Sequence, residues 1–192
     1  MIPLIEVESN SGVREVSLQT RHLMNRKVFL LGEITTEKVN DVLMQLMFLD
    51  SEGDEPVKLY INSPGGEVMA GLLLYDAMKG MHAPVYTYAV GTAASMGAVI
   101  LAAGEMGHRY IFPHSKVMIH EPLIGQSFGG SASSIKNISE SILETKNLLN
   151  SILAEHTGKS IEEINEATSY DNFMDAREAV NFGICDTIVN YL

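Results

Sequence analysis

Val85-Tyr86-Thr87-Tyr88-Ala89-Val90, then Gly91-Thr92-Ala93-Ala94, then Ser95-Met96-Gly97-Ala98-Val99-Ile100-Leu101-Ala102-Ala103 takes the chain from one kind of local order to another. The first six residues have strand length and the β-branched and aromatic content that suits a pleated surface. The last nine are apolar nearly all round, as in a buried helix, and the small residues between them predict a tight turn that opens it. Upstream the same alternation repeats. Val28 to Leu31 and Val57 to Ile61 have strand character, while Glu37 to Asp50 carries Val39, Val42, Leu43, Leu46 and Leu49 at helical spacing after Thr36, a candidate N-cap. A second helix is predicted over Glu67 to Met81, opened by Ser63-Pro64-Gly65-Gly66. Strands alternating with helices give right-handed crossovers and a largely parallel sheet, so the fold class is α/β.

Downstream the rhythm breaks. Arg109 to Phe112 and Lys116 to Ile119 are strand candidates separated only by Pro113-His114-Ser115, where a doubly wound sheet would carry a helix. A Gly- and Ser-rich segment from Gly125 to Ser134 leads into a long helix over Ile135 to His156, with Ile135, Ile138, Ile142, Leu149 and Ile152 on one stripe and Gly158 as its stop. The stripe has two readings, packing on the chain's own sheet or on a partner subunit. Ser160 with Glu163 and Asp175 with Glu178 are capping-box signatures of two further helices. The second ends at Gly183 before a last strand from Ile184 to Val189, and the start of the chain, around Ser9-Asn10-Ser11-Gly12, reads as irregular. There is no internal repeat, and 192 residues suit one domain.

The 24 Asp and Glu against 13 Lys and Arg give a net charge of −11 with no basic run, which argues against nucleic acid as a partner. The opening Met1-Ile2-Pro3-Leu4-Ile5-Glu6 has no basic n-region ahead of an apolar h-region, and no apolar run is long enough to span a bilayer; both predict a cytoplasmic protein. The single cysteine, Cys185, lies in an apolar run and reads as buried, and the eleven methionines read as core filler on apolar helix faces.

Ser95 stands where a strand meets a helix, among residues small enough for a substrate to approach. The adjacent helix N-terminus offers unpaired N–H groups to a developing oxyanion, although a serine there also serves simply as a cap. The Gly-x-Ser-x-Gly pattern is not met, because Ala93 occupies its first glycine position. A serine needs a base. His120 ends a strand and precedes Glu121-Pro122, a place where a side chain can face a cleft, whereas His22, His82, His108, His114 and His156 fall in turns or on polar helix faces. Asp171 lies in the short connection Tyr170-Asp171-Asn172 between two helices, either as partner of the imidazole or as a turn former.

Four segments carry a resemblance to a known family. Ala93-Ala94-Ser95-Met96-Gly97-Ala98 resembles the serine motif of the Clp protease proteolytic subunits, and Val117-Met118-Ile119-His120-Glu121-Pro122-Leu123 their histidine motif. Asp171-Asn172-Phe173-Met174 with Glu178-Ala179 and Gly183 is similar to their aspartate region, and Tyr60-Ile61-Asn62-Ser63-Pro64-Gly65-Gly66 also matches. The resemblance implies a crotonase-like α/β fold of repeated ββα units in a single domain over residues 1–192. Residues 1–19 would form an axial segment and about 124–156 a protruding handle helix. It further implies heptameric rings stacked as a tetradecamer, and a serine endopeptidase that cleaves unfolded polypeptides delivered by an AAA+ unfoldase. It assigns Ser95, His120 and Asp171 as catalytic, the backbone N–H groups of Gly66 and Met96 to the oxyanion, no metal and no cofactor, with ATP consumed by the unfoldase.

The chain departs from the family pattern at several positions. Thr92 and Glu121 replace glutamines, the stretch Ile124 to Ser134 is longer and differently composed, Tyr170 replaces an arginine, and Val16-Ser17 stand where Tyr-Asp is frequent. Two alternatives stand beside the self-sufficient protease, the first raised by these departures and the second by the shared fold, whose crotonase members also stabilise an oxyanion with backbone donors. One is a ring subunit with little activity unless it pairs with a paralogous subunit. The other is a crotonase-type enzyme acting on acyl-CoA.

Overall fold

The computed structural model describes residues 3–9, 12–123 and 130–191. Its main sheet has seven strands. Strands β3 (Lys27–Leu31), β4 (Val57–Ser63), β5 (Val85–Ala94), β6 (Arg109–Ile111) and β9 (Thr187–Ile188) lie side by side and parallel, and β7 (Lys116–Ile119) joins β5 while β8 (Asn172–Met174) joins β7. Helices α2 (Thr36–Ser51), α3 (Val68–Gly80) and α4 (Met96–Ala102) are the crossovers that the parallel pairing requires. Alternate strand residues Val28, Leu30, Val57, Leu59, Ile61, Val85 and Ala89 are buried in one core with Leu46, Leu74 and all of α4. The α/β class and the largely parallel sheet agree with the sequence expectation.

The opposite face of the sheet carries an aromatic row. Phe29, Tyr60, Tyr88 and Tyr110 are register partners on four successive strands, and their rings stack with centroids 5.2, 4.8 and 4.7 Å apart. Burial pushes the Tyr88 phenol up to about 12.

β5 changes partner along its length. Thr87 to Ala89 pair with β6, and Thr92 to Ala94 pair with β7. Where β6 leaves and β7 enters, the buried Ser115 fills the gap: its Oγ donates to the Ala89 carbonyl (3.0 Å) and accepts from the Gly91 N–H (2.8 Å). The Pro113-His114-Ser115 turn therefore steps the chain along one edge of β5 rather than returning it as a hairpin.

Several expectations need correction. The N-terminus is not irregular: β1 (Leu4–Ser9) pairs antiparallel with β2 (Gly12–Ser17), the connecting residues 10–11 lying outside the described ones. A short helix α1 (Leu18–Met24) follows, capped by Ser17, whose Oγ accepts from the Thr20 N–H. Gly91 to Ala94 do not open a helix. They extend β5, because β7 is there to pair with them. The N-cap of α2 is Thr35, not Thr36, and the last strand shrinks to Thr187–Ile188. The methionines are not mainly core: Met24, Met44, Met47, Met69 and Met106 are each more than half exposed, and among the described residues only Met78, Met96 and Met174 are buried.

α5 (Ala132–Thr157) buries only its C-terminal end, through Leu149, Asn150, Ile152, Leu153 and His156. Ile135 is 45% exposed, so the predicted apolar stripe does not lie on the chain's own sheet over its first half. The other two helices, α6 (Ile161–Thr168) and α7 (Ala176–Phe182), both begin with the predicted capping boxes. His156 is buried rather than solvated. Its Nε2 lies 3.2 Å from the Tyr75 hydroxyl, and burial holds its pKa below the ordinary histidine value. Next to it the buried Arg109 donates to both Asp186 oxygens and to the His156 carbonyl. Burial works against a charged Asp186, but the hydrogen bonds and charge of Arg109 outweigh it and keep the carboxylate below its usual pKa. Cys185 is buried as read from sequence, with its thiol pushed up to about 12 by that burial.

The Ser115 bridge is open to test. Ser115→Ala removes the acceptor of the Gly91 N–H and the donor to the Ala89 carbonyl, and a typical hydrogen bond contributes about 0.5–1.5 kcal/mol net. Chemical denaturation should show a loss of that size with an unchanged m-value; a loss below about 0.5 kcal/mol would mean that the sheet closes the gap without the hydroxyl.

Candidate active site

Three parallel strand ends meet at one place. β4 runs out into Ser63-Pro64-Gly65-Gly66, β5 into Ser95, and β7 into His120. β4 is held beside β5 by the Ser63–Ala93 pairing, and β7 by Ala94–Met118, so the three ends are side by side by register alone. β7 then pairs antiparallel with β8, with Ile119 opposite Asn172. One step further along that ladder brings His120 opposite Asp171.

The side chains complete the arrangement. His120 Nε2 lies 2.9 Å from Ser95 Oγ, and His120 Nδ1 lies 3.1 Å from Asp171 Oδ1. The imidazole is 13% exposed and the Asp171 carboxylate 64%. With the Nδ1 proton donated to Asp171, Nε2 is left as an acceptor for the serine hydroxyl. Such a chain activates a hydroxyl for attack on a carbonyl.

Ser95 has φ 54° and ψ −123°, one of two non-glycine residues with positive φ among the described residues. A side chain costs energy in that region, and the strain persists only where the surroundings impose it. Here the Ser95 N–H donates to the Met118 carbonyl (2.8 Å), while its own carbonyl accepts from the Ala98 and Val99 N–H groups. The residue is thus fastened to β7 on one side and to α4 on the other. Its side chain does not cap α4, which removes the simplest structural role for a serine at this place.

Gly65 and Gly66 pass directly against this turn. A Cβ on Gly65 would stand 2.6 Å from Ser95 Cβ, and one on Gly66 would stand 2.1 Å from the Ile34 carbonyl oxygen. The segment is clamped to the start of α2. Ile34 N–H donates to the Gly65 carbonyl, Glu67 N–H to the Ile34 carbonyl, and Glu67 Oε2 accepts from both the N–H and the hydroxyl of Thr36. No local pattern marks Glu67 for this use. Among the described residues, neither the Gly66 N–H nor that of Met96, the first residue of α4, has an acceptor. Both belong to the segments that meet at Ser95, where unpaired donors suit an oxyanion.

Beside Ser95 and His120 lies a cavity of about 190 Å³, with apolar walls that include Val68, Met96, Val99, Pro122, Leu149 and Leu153. Sequence reasoning did not find it, because its residues come from α3, α4, α5 and the loop after β7. The remaining histidines are elsewhere. His22 packs on Phe29, His82 binds Asp50 at the surface, His108 stacks on Tyr86, and His156 is enclosed beside Tyr75. Of the departures, Thr92 donates its N–H to Asn62 Oδ1, Glu121 meets Lys146, and Tyr170 is 59% exposed next to Asp171. Residues 124–129 of the altered stretch lie outside the described ones. Among the described residues no cluster of His, Cys, Asp and Glu could hold a metal ion, and no helix is long and apolar enough to cross a membrane.

A family model described as Clp protease matches residues 10–191. The chain therefore belongs to the Clp protease family, and its α/β fold is of that family's kind.

Gly66→Ala tests the clamp and the donor together. A methyl group 2.1 Å from a backbone oxygen forces the segment away from Ile34 and takes the Gly66 N–H with it. Loss of one oxyanion donor costs about 10²–10³-fold in rate. Reaction of Ser95 with a fluorophosphonate should slow by at least about tenfold in an otherwise folded variant; an unchanged rate would remove Gly66 from the site.

Proposed function

We propose that this chain is the proteolytic subunit of a compartmentalised, ATP-dependent serine protease. Ser95 is the nucleophile, His120 the general base, Asp171 the group that orients the imidazole, and the N–H groups of Gly66 and Met96 the oxyanion donors. The observation that carries this reading is the unbroken Ser95–His120–Asp171 hydrogen-bonded chain. Family membership supports it.

On this reading Ser95 Oγ attacks the scissile carbonyl carbon as its proton passes to His120 Nε2. The carbonyl oxygen becomes an oxyanion between the two N–H donors. As the tetrahedral adduct collapses, the imidazolium returns the proton to the departing amine and an acyl-enzyme remains. Water then adds to the acyl carbon as it loses a proton to the same nitrogen, and when this second adduct collapses the C–Oγ bond breaks, His120 returns the proton to Ser95 Oγ and the carboxylic acid product leaves. No step calls for a metal or an organic cofactor. ATP is consumed by a separate AAA+ unfoldase that supplies unfolded polypeptide. The chain acts as a single domain in heptameric rings, with residues 1–19 at the axial entrance and α5 within the handle, in the cytoplasm. The apolar cavity receives the side chain that precedes the scissile bond.

Two measurements test this. Ser95→Ala should abolish fluorophosphonate labelling and lower peptide turnover by about 10⁶-fold, by analogy with other triads. Among peptides differing only in the residue before the cleaved bond, leucine or methionine should be preferred over aspartate or lysine by at least about tenfold, the scale on which a buried charge without a partner is rejected. Labelling that survives in the alanine variant would move the nucleophile elsewhere.

A second reading has its own observation. The Asp171 carboxylate is 64% exposed, Tyr170 beside it is exposed, and the first half of α5 is bare. An orienting carboxylate so open to water has its interaction screened and its geometry held only from one side. A partner-dependent ring subunit fits this: the protein alone would be a single heptamer or smaller, with weak turnover that a paralogous ring raises. Native mass spectrometry with peptide turnover on the purified chain tests it, and a fully active fourteen-subunit particle would overturn it. The acyl-CoA alternative has no need of the Ser–His–Asp chain, and binding to immobilised coenzyme A separates it from both.

A further inference from the structure

We infer that the ion pair between Glu121 and Lys146 is a positioning device that fixes His120 from the side of α5. The inference rests on the proposed role of His120 and adds to it what holds that residue in place.

β7 ends at Ile119, so His120 is the first residue beyond the ladder, and its backbone no longer has a strand partner. Register brings the chain to this point but does not fix where it goes next. The next residue, Glu121, makes two contacts. Its N–H donates to the Thr168 carbonyl (2.8 Å), and its Oε2 accepts from Lys146 Nζ (2.6 Å). Lys146 is 25% exposed and Glu121 42%, so the pair is partly sheltered rather than fully in water. Beyond Glu121 come Pro122 and Leu123, and Leu123 is 74% exposed.

Both contacts lead to the same two turns of α5. Lys146 and Asn150 are four residues apart and share a helix face. Asn150, itself buried, donates from Nδ2 to Thr168 Oγ1 (3.2 Å) and to Asn165 Oδ1 (2.7 Å). Thr168 is fully buried and ends α6, three residues before Asp171. The Asp171 loop is therefore anchored to α5 through Asn150 and Thr168, and the His120 loop through Lys146 and Glu121. The Glu121 N–H bond to Thr168 joins the two anchors.

The two anchors differ in kind. Asn150 and Thr168 form a neutral, buried contact that holds wherever the fold holds. Lys146 and Glu121 depend on opposite charges at short range, and among the described residues no other group pairs with the Glu121 carboxylate. A glutamine at 121 would keep the N–H bond to Thr168 and lose the charge. Its effect should therefore fall on where His120 sits, and not on whether the chain folds. Misplacement of a reacting group by about 1 Å costs up to ~10²-fold in rate, so a partial loosening corresponds to roughly tenfold.

The test is a double-mutant cycle on the full chain with Glu121→Gln, Lys146→Met and the two combined. Active sites are counted by fluorophosphonate labelling, assembly is followed by native mass, and peptide kcat and KM are measured per labelled site. Each single variant should lose roughly tenfold in kcat with KM within about twofold, and the double variant should lose no more than either single. The reversed pair, Glu121→Lys with Lys146→Glu, should recover most of the loss. Singles with unchanged kcat per labelled site would overturn the inference. So would a double variant whose loss is the product of the two, since the residues would then act separately. Absence of labelling in the unaltered protein would instead overturn the proposed function, so the two failures are told apart.

Discussion

The exchange of partners along β5 is the constraint on which the site depends. A strand that kept β6 along its whole length would end with no neighbour able to present a histidine. Because β6 stops at Ile111 and β7 starts at Lys116, the second half of β5 gains a new edge, and His120 leaves that edge level with Ser95. The exchange is covered by one buried hydroxyl, that of Ser115, which takes the Gly91 N–H and shares the Ala89 carbonyl with the N–H of Phe112 just past β6. A sheet tolerates such a break only when its exposed N–H and C=O groups find partners.

From that break the remaining geometry follows by register and by tethering. β8 lies antiparallel on β7 and carries Asp171 to His120. The start of α2 clamps Gly65 and Gly66 against the turn at Ser95 through Ile34, Thr36 and Glu67. The strained backbone of Ser95 is held between the Met118 carbonyl and the first turn of α4. Each group is fixed by a different pair of elements. This suits a site that has to keep several hydrogen bonds at once, since a loose support anywhere would lengthen one of them.

The open side of the site is the counterpart of this order. Ser95 and His120 are enclosed by β5, β7, α4 and α5, whereas Asp171 and Tyr170 face outward and α5 leaves its first half uncovered. Among the described residues, support comes from the sheet and from α5, and none comes from beyond Asp171. Both readings of the function call for further subunits. They differ in whether an identical copy suffices.

Much of this was legible in the sequence, and for a physical reason. Strand and helix type follow from local periodicity, so the βαβ alternation, both capping boxes and the glycine stops at Gly158 and Gly183 needed no tertiary information. Ser95, His120 and Asp171 could be named because small residues around a serine, a histidine at a strand end and an aspartate in a short connection each leave a local mark, and the family motifs joined them. Pairing was not legible. Gly91 to Ala94 have the composition of a turn and became strand only because β7 lies beside them, and Asn172 to Met174 became β8 for the same reason. Nor does periodicity tell a covered apolar face from a bare one, which is why the methionines of α2 and α3 read as core filler and why the stripe of α5 leaves two readings open. The contacts of Glu67 with Thr36 and of Glu121 with Lys146 span 31 and 25 residues of chain, and only the folded structure brings such separations together.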